Sequence, residues 1–148
     1  MIKLNKTTEY ALIALNHLTR SQGTVSAREV SEKYLLPYDI TAKTLQRLKE
    51  IGWIESTSGS KGGYRLKMNP ATVSFAKFLE TFEGYHAIVA CCMTGTGAQT
   101  CEIQSACEVR PFLSNLNAKV FHFLNSLPMN EIIDAPSMLT QVKSEVSV

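Results

Sequence analysis

Trp53-Ile54-Glu55-Ser56-Thr57-Ser58-Gly59-Ser60-Lys61-Gly62-Gly63-Tyr64-Arg65-Leu66 is the stretch that decides the fold. Trp53-Ile54-Glu55-Ser56 reads as a short strand and Tyr64-Arg65-Leu66 as its return partner. Residues 57–63 then form a hairpin tip whose glycines permit positive φ. Lys61 stands at that tip, where a cation suits a phosphate or minor-groove contact, with Ser60 and Arg65 beside it. A glycine-rich loop can also cradle a nucleotide phosphate. This one lacks the Gly-Lys-Ser/Thr ending of a P-loop and lies between strands rather than ahead of a helix.

Upstream, Ala11, Ala14, Leu15 and Leu18 recur at helical spacing, which predicts a helix from about Thr8 to Arg20, broken by Gly23. Ser26-Ala27-Arg28-Glu29 has the form of a capping box: the serine hydroxyl accepts the third helical N–H while Glu29 reaches back. Val25 and Val30 are spaced as the accompanying hydrophobic staple, and this second helix ends near Tyr34. Pro37, with no N–H to lose, opens a third helix that runs to about Ile51, where Gly52 supplies a left-handed cap. Thr41, Thr44, Leu45 and Leu48 share one face of it, suited to packing on the first two helices. Asp39, Ala42, Lys43 and Gln46 share the other, and Arg47 joins them as a candidate DNA contact. That small, polar, partly basic face fits a major groove as well as it fits plain solvent. The hairpin separates the two readings, because two helices, a polar-faced third and a basic glycine hairpin make a winged helix-turn-helix.

The chain has 148 residues, of which 45% are hydrophobic and 19% charged, so it can build a core and is not a disordered tail. Its net charge of +2 hides an asymmetry. Residues 1–70 hold eleven Lys/Arg against six Asp/Glu, a balance of +5, and residues 71–148 hold four against seven, a balance of −3. A nucleic-acid-binding half joined to a different half produces such a split, as does ordinary charge scatter. No apolar run reaches bilayer length, and Met1-Ile2-Lys3-Leu4-Asn5-Lys6 is too polar for a signal peptide. A cytoplasmic protein without a membrane partner is the expectation.

Asn69-Pro70 marks a boundary, after which Phe75, Phe78, Leu79 and Phe82 fall at helical spacing up to Gly84, as a core face. A longer helix begins at Pro111. Leu113, Leu116, Val120, Phe123 and Leu127 step by three and four along it, widened by Phe112, Phe121 and Leu124. A helix apolar over so much of its surface must bury it, either against a second copy of the chain or on its own domain. The tail after Pro136 is polar.

Between these helices lie all four cysteines, Cys91, Cys92, Cys101 and Cys107. In a reducing compartment such a cluster points to metal or redox chemistry rather than to disulfide staples. Thiolates are soft ligands suited to zinc or an iron–sulfur cluster. Eight residues separate Cys92 from Cys101 and five separate Cys101 from Cys107, so neither gap is the two-residue spacing of a zinc knuckle or a thioredoxin-like site. A metal-free thiol switch and functionless reduced cysteines stay open on spacing alone. A cysteine-based enzyme would need a thiol with a neighbouring base, and no Cys-X-X-Cys or Cys-His pairing is present, so no enzyme is expected.

Thr8-Glu9-Tyr10-Ala11-Leu12, Leu48-Lys49-Glu50-Ile51-Gly52-Trp53-Ile54 and Gly59-Ser60-Lys61-Gly62-Gly63-Tyr64-Arg65-Leu66 together resemble the Rrf-two family of bacterial transcription regulators, over about residues 2–127. The resemblance implies a homodimer on a palindromic operator, the third helix in the major groove and the wing at the flanking minor groove. At Asp39 and Ala42 relatives read bases; Ala42 has no hydrogen-bonding group, which shifts any operator preference to Lys43, Gln46, methyl contacts or DNA shape. The cysteine trio resembles the ligands of the iron–sulfur branches, IscR-type and NsrR-type, which CymR-type members lack. The resemblance thus implies a cluster, [2Fe–2S] or [4Fe–4S], on Cys92, Cys101 and Cys107, with Cys91 as the alternative first ligand. IscR-type members carry a histidine three residues past the last cysteine, where this chain has Arg110, which as a cation cannot ligate iron. NsrR-type members use a carboxylate from the first helix of the other subunit, and the matching position is Glu9. Cys91 and His86 are further candidates, while His17 and His122 read as ordinary helix residues.

The expected protein is mainly α with a small β-hairpin wing and a long C-terminal dimerisation helix. Residues 1–68 form the winged helix-turn-helix, 69–90 a connecting segment and helix, 91–109 the cysteine loop, 110–135 the dimerisation helix and following turn, and 136–148 the tail. Its expected role is a DNA-binding regulator, most simply a repressor, that senses redox state, nitric oxide or iron status. The alternative is a cluster-free regulator working as a thiol switch or through a partner protein.

Overall fold

In the computed structural model, which describes residues 4–84, 87, 101–103 and 105–134, helix α1 (Lys6–Arg20) begins two residues ahead of the Thr8 start that its apolar spacing predicts. Asn5 is the reason: its side-chain oxygen accepts the Thr8 N–H at 2.8 Å, which satisfies one of the donors a helix start leaves open. Helix α2 (Ala27–Tyr34) starts at Ser26, whose hydroxyl accepts the Glu29 N–H at 3.1 Å. The box is only half made, since the Glu29 carboxylate turns to His17 Nε2 at 2.8 Å. Val25 and Val30 are both buried, as the staple requires.

Helix α3 (Tyr38–Glu50) has Pro37 as its N-cap rather than inside its first turn. It ends in a Schellman motif: Gly52, at φ +81°, donates to the Lys49 carbonyl at 2.9 Å, and Trp53 donates to the Leu48 carbonyl at 3.0 Å. Trp53 and Leu48 are both buried, completing the motif's apolar contact and aiming the chain into the wing. Strands β1 (Ile54–Thr57) and β2 (Gly63–Leu66) pair antiparallel from Ile54 opposite Leu66 to Thr57 opposite Gly63. Val25, in the turn before α2, adds a bridge to Tyr64 with both backbone bonds at 2.8 Å. The wing is therefore anchored on the helical body by a residue the hairpin pattern alone does not reveal.

A 3-10 turn (Pro70–Thr72), capped by Asn69, leads to helix α4 (Phe75–Glu83), with Ser74 at its N-cap. Phe78, Leu79 and Phe82 are buried and Phe75 is half-buried, the core face expected of them. Helix α5 (Arg110–Ser126) matches the expected long helix, and none of its residues is buried within the single chain. A short helix α6 (Met129–Ile133) follows, where the sequence suggested only a turn. Its Met129 and Ile133 are buried in the same cluster as Ala11, Leu15, Leu45, Trp53 and Phe78. Three backbone or side-chain bonds fix that return: Phe75 N–H to Leu127 O at 2.7 Å, Met129 N–H to Val73 O at 2.8 Å, and Asn16 Nδ2 to Ile133 O. One core thus joins the winged helix to α4 and α6, while α5 only borders it through the half-buried Leu124. Among the described residues no helix is long and apolar enough to cross a membrane.

Candidate nucleic-acid interface and cysteine segment

Burial of Thr41, Thr44, Leu45 and Leu48 against the helical body turns the opposite face of α3 outward. Asp39, Lys43, Gln46 and Arg47 are exposed there and Ala42 is half-buried. Ile40, Lys43, Gln46 and Arg47 line an open groove of about 720 Å³ together with Thr7, Glu50 and Ile51. The first turn of α1 and the outer face of α3 therefore share one surface. Gln46 Nε2 lies 3.4 Å from Glu50 Oε1, and the Arg47 guanidinium stacks 5.2 Å above the Phe82 ring. Arg47 thus ties α3 to α4 through a cation–π contact while staying exposed.

Three large apolar residues that the sequence reading did not single out flank this face. Leu35, at φ +54° in the turn between α2 and α3, is 91% exposed, and Tyr38 and Ile40 are exposed as well. Beside Ala42 they give the face an apolar character suited to thymine methyl groups. Ile40 was legible in principle, since it lies three residues before Lys43 on the same helical stripe.

On the wing, Ser60 and Lys61 are exposed at the tip. Lys61 has no acidic partner among the described residues. Arg65 does have one: it stands opposite Glu55 in the ladder and its Nε bonds the Glu55 carboxylate. A free cation at the tip and a compensated one on the strand make Lys61 the stronger candidate of the two for a phosphate contact. Gly59 takes φ +111°, as a hairpin glycine can. Gly62 and Gly63 serve a different need, close approach. A Cβ on Gly62 would lie 2.5 Å from Thr57 O, and one on Gly63 would lie 2.9 Å from Val25 O.

Glu9 sits in the first turn of α1, where a carboxylate favours the helix dipole. Its Oε2 lies 2.6 Å from Lys6 Nζ, and that hydrogen bond, with the carboxylate charge, raises the Lys6 pKa above its ordinary value. Cys101 and Cys107 are free, half-buried thiols. The Ala106 N–H donates to Ile103 O at 3.0 Å and the Arg110 N–H to Cys107 O at 3.4 Å, so a tight turn separates the thiols and Cys107 leads directly into α5. Arg110 opens that helix. Cys91, Cys92 and His86 lie outside the described residues, as does the tail 136–148. Among the described residues no group of three His, Cys, Asp or Glu converges to hold a metal.

His122 is exposed on α5, whereas His17 is nearly buried between α1 and α2. Lys33 Nζ lies 3.1 Å from His17 Nδ1, and the Tyr34 hydroxyl lies 3.3 Å from the same nitrogen. An ammonium can only donate, so Nδ1 accepts and Nε2 carries the hydrogen toward Glu29. Both ring nitrogens are engaged, which makes His17 a structural residue of the helix pair.

The regulator NsrR of Shouchella clausii is 24% identical over 134 residues, spanning 89% of each chain. The structure of CymR, the global cysteine regulator of B. subtilis, matches with a TM-score of 0.70 at 18% identity over 90% of this chain and 98% of its own. T. potens IscR matches with a TM-score of 0.62 at 15% identity over 99% and 93%. At such identities the two structures establish the fold, a winged helix-turn-helix. These relatives are transcription regulators rather than enzymes, and residues 4–135 match the Rrf2 family, described as iron-dependent transcriptional regulators; the chain belongs to that family as a DNA-binding transcription regulator.

Proposed function

We propose that the protein acts in the cytoplasm as a homodimeric repressor on a palindromic operator, with α3 in the major groove and the wing at the flanking minor groove. We further propose that Cys92 (or Cys91), Cys101 and Cys107 hold an iron–sulfur cluster with Glu9 of the partner subunit. The donor set fits iron: two free, half-buried thiols have five residues between them, and a carboxylate is presented at a helix start. When bound, the cluster would supply an iron centre open to oxidants or nitric oxide. Asp39, Ala42, Lys43, Gln46 and Arg47 would face the bases, and Ser60, Lys61 and Arg65 the backbone.

The observation that carries the regulatory reading is the groove shared by Thr7 of α1 and Lys43 and Gln46 of α3. Glu9 is two residues from Thr7, so ligation by Glu9 would pull on a helix that borders the reading face. It would also release Lys6, which holds that carboxylate in the isolated chain. Pairing through α5 is supported by its lack of any buried residue and by Phe112 and Phe123, which are 68% and 59% exposed. A second reading, a cluster-free thiol switch or partner-dependent regulator, is favoured by the partial exposure of Cys101 and Cys107 and by the likeness to CymR.

Anaerobic isolation of the wild type and the Cys101→Ser and Cys107→Ser variants separates the two. The cluster reading expects iron and sulfide in the wild type and little of either in the variants. Equal, near-zero iron in all three with oxidant-dependent DNA binding would select the thiol switch.

A further inference from the structure

We infer that Thr24 is a positioning residue for DNA contact: its hydroxyl locks the wing tip so that Lys61 is held ready for a backbone phosphate. This rests on the proposal that Lys61 contacts DNA. The Thr24 Oγ1 donates to the Lys61 carbonyl at 2.8 Å, across 37 residues of sequence. The next residue, Val25, exchanges both backbone bonds with Tyr64 at 2.8 Å. At the other end of the tip, the Gly62 N–H donates to Gly59 O at 2.9 Å. The loop between the strands is thereby tied at three points: the Gly59–Gly62 turn, the Lys61 carbonyl and the Tyr64 bridge.

The glycines are what let the clasp close. A side chain on Gly63 would meet Val25 O at 2.9 Å and Thr24 Cβ at 3.2 Å, so the turn before α2 packs directly on the wing backbone. Val25 is buried, and its place in the core fixes the inner end of the contact. Thr24 carries that fixed position one residue outward to the carbonyl of the tip cation itself. Neither the Arg65–Glu55 pair nor the β1–β2 ladder reaches the backbone of Lys61. Without the Thr24 hydroxyl, residues 58–62 lose their only side-chain tie to the helical body among the described residues.

A flexible side chain on a flexible loop must be ordered when it binds phosphate, and that ordering subtracts from affinity. Pre-ordering the Lys61 backbone removes part of that loss. Thr24 touches no DNA in this account; it acts through Lys61, which gives it a signature that a merely structural residue lacks.

The test is a double-mutant cycle on the full-length protein with a duplex selected from a random-sequence pool, read as affinity against salt concentration. Thr24→Val keeps the shape and removes the donor; Thr24→Ser keeps the donor. Lys61→Ala is expected to flatten the log–log salt slope by about one, the signature of one lost phosphate contact. Thr24→Val is expected to weaken binding about two- to fivefold in the wild-type background and not at all in Lys61→Ala, while Thr24→Ser binds like wild type. A Thr24→Val loss of the same size in both backgrounds, or no loss in the wild type while Lys61→Ala flattens the slope, overturns the positioning role alone. An unchanged slope in Lys61→Ala overturns the wing contact and the inference with it. Unfolding midpoints of the variants keep the reading independent of gross unfolding.

Discussion

A Cβ on Gly62 would press against the Thr57 carbonyl, and neither atom belongs to a side chain that can swing away. Gly62→Ala should therefore distort the tip at a cost of about 1–3 kcal/mol, the range for overpacked sites. Urea unfolding would show that loss, and weaker DNA binding with a flatter salt slope would accompany it. Gly52 answers to a different constraint, since at φ +81° with open space around it only the backbone matters. Gly52→Ala should cost about 1–2 kcal/mol with the wing otherwise intact. Residue by residue, the sequence was informative where a side chain acts locally. Ser26 as a cap, Gly52 as a stop and Lys61 at the tip are all legible from near neighbours. It was silent where a partner is distant: nothing near Thr24 announces Lys61, and Arg65 looks free until the strand register sets it against Glu55. Glu29 was misread for the same reason, because His17, twelve residues away, takes the carboxylate that the capping pattern assigned to Ser26.

The elements divide along similar lines. α1 to α4 each combine a clear apolar stripe with a capping residue, so both their existence and their inward faces follow from spacing. α6 escapes that reasoning because five residues hold barely more than one turn, too short for a period to register. Its stability is tertiary, from the burial of Met129 and Ile133 and from the backbone bonds between Val73, Phe75, Leu127 and Met129. Met129→Ala should destabilise the fold by about 2–5 kcal/mol, the usual range for emptying a buried site of that size. A loss below about 1 kcal/mol by denaturant titration would mean that α6 does not hold the core together. At the N-terminus of α2, Ser26→Ala should cost about 1 kcal/mol, since Glu29 does not supply the reciprocal half of the box.

At the scale of the molecule, α5 is the element whose sequence and surroundings disagree most. It is apolar along several stripes, yet none of its residues is buried within one chain. A second copy is the occupant that the proposed palindrome requires, so Phe123→Asp should shift the protein toward monomer in sedimentation and weaken operator binding. A dimer of unchanged stability would place the partner surface elsewhere. The charge division also makes sense here, with the basic half carrying α3 and the wing and the acidic half carrying α5. The proposed cluster site is suggested by composition, through four cysteines in one stretch and Glu9 in a helix start, but the proposed assembly would span two chains, which no single-chain pattern can show. The central claim is that the state of the cysteine segment sets DNA affinity. It is tested most directly by titrating a selected duplex with anaerobically isolated protein before and after iron removal, in parallel with iron and sulfide analysis. The account predicts an iron-containing sample whose affinity changes by at least about fivefold on iron removal, as coupled sites typically do. Protein isolated without iron that binds in full, or an affinity unmoved by iron removal, would contradict it.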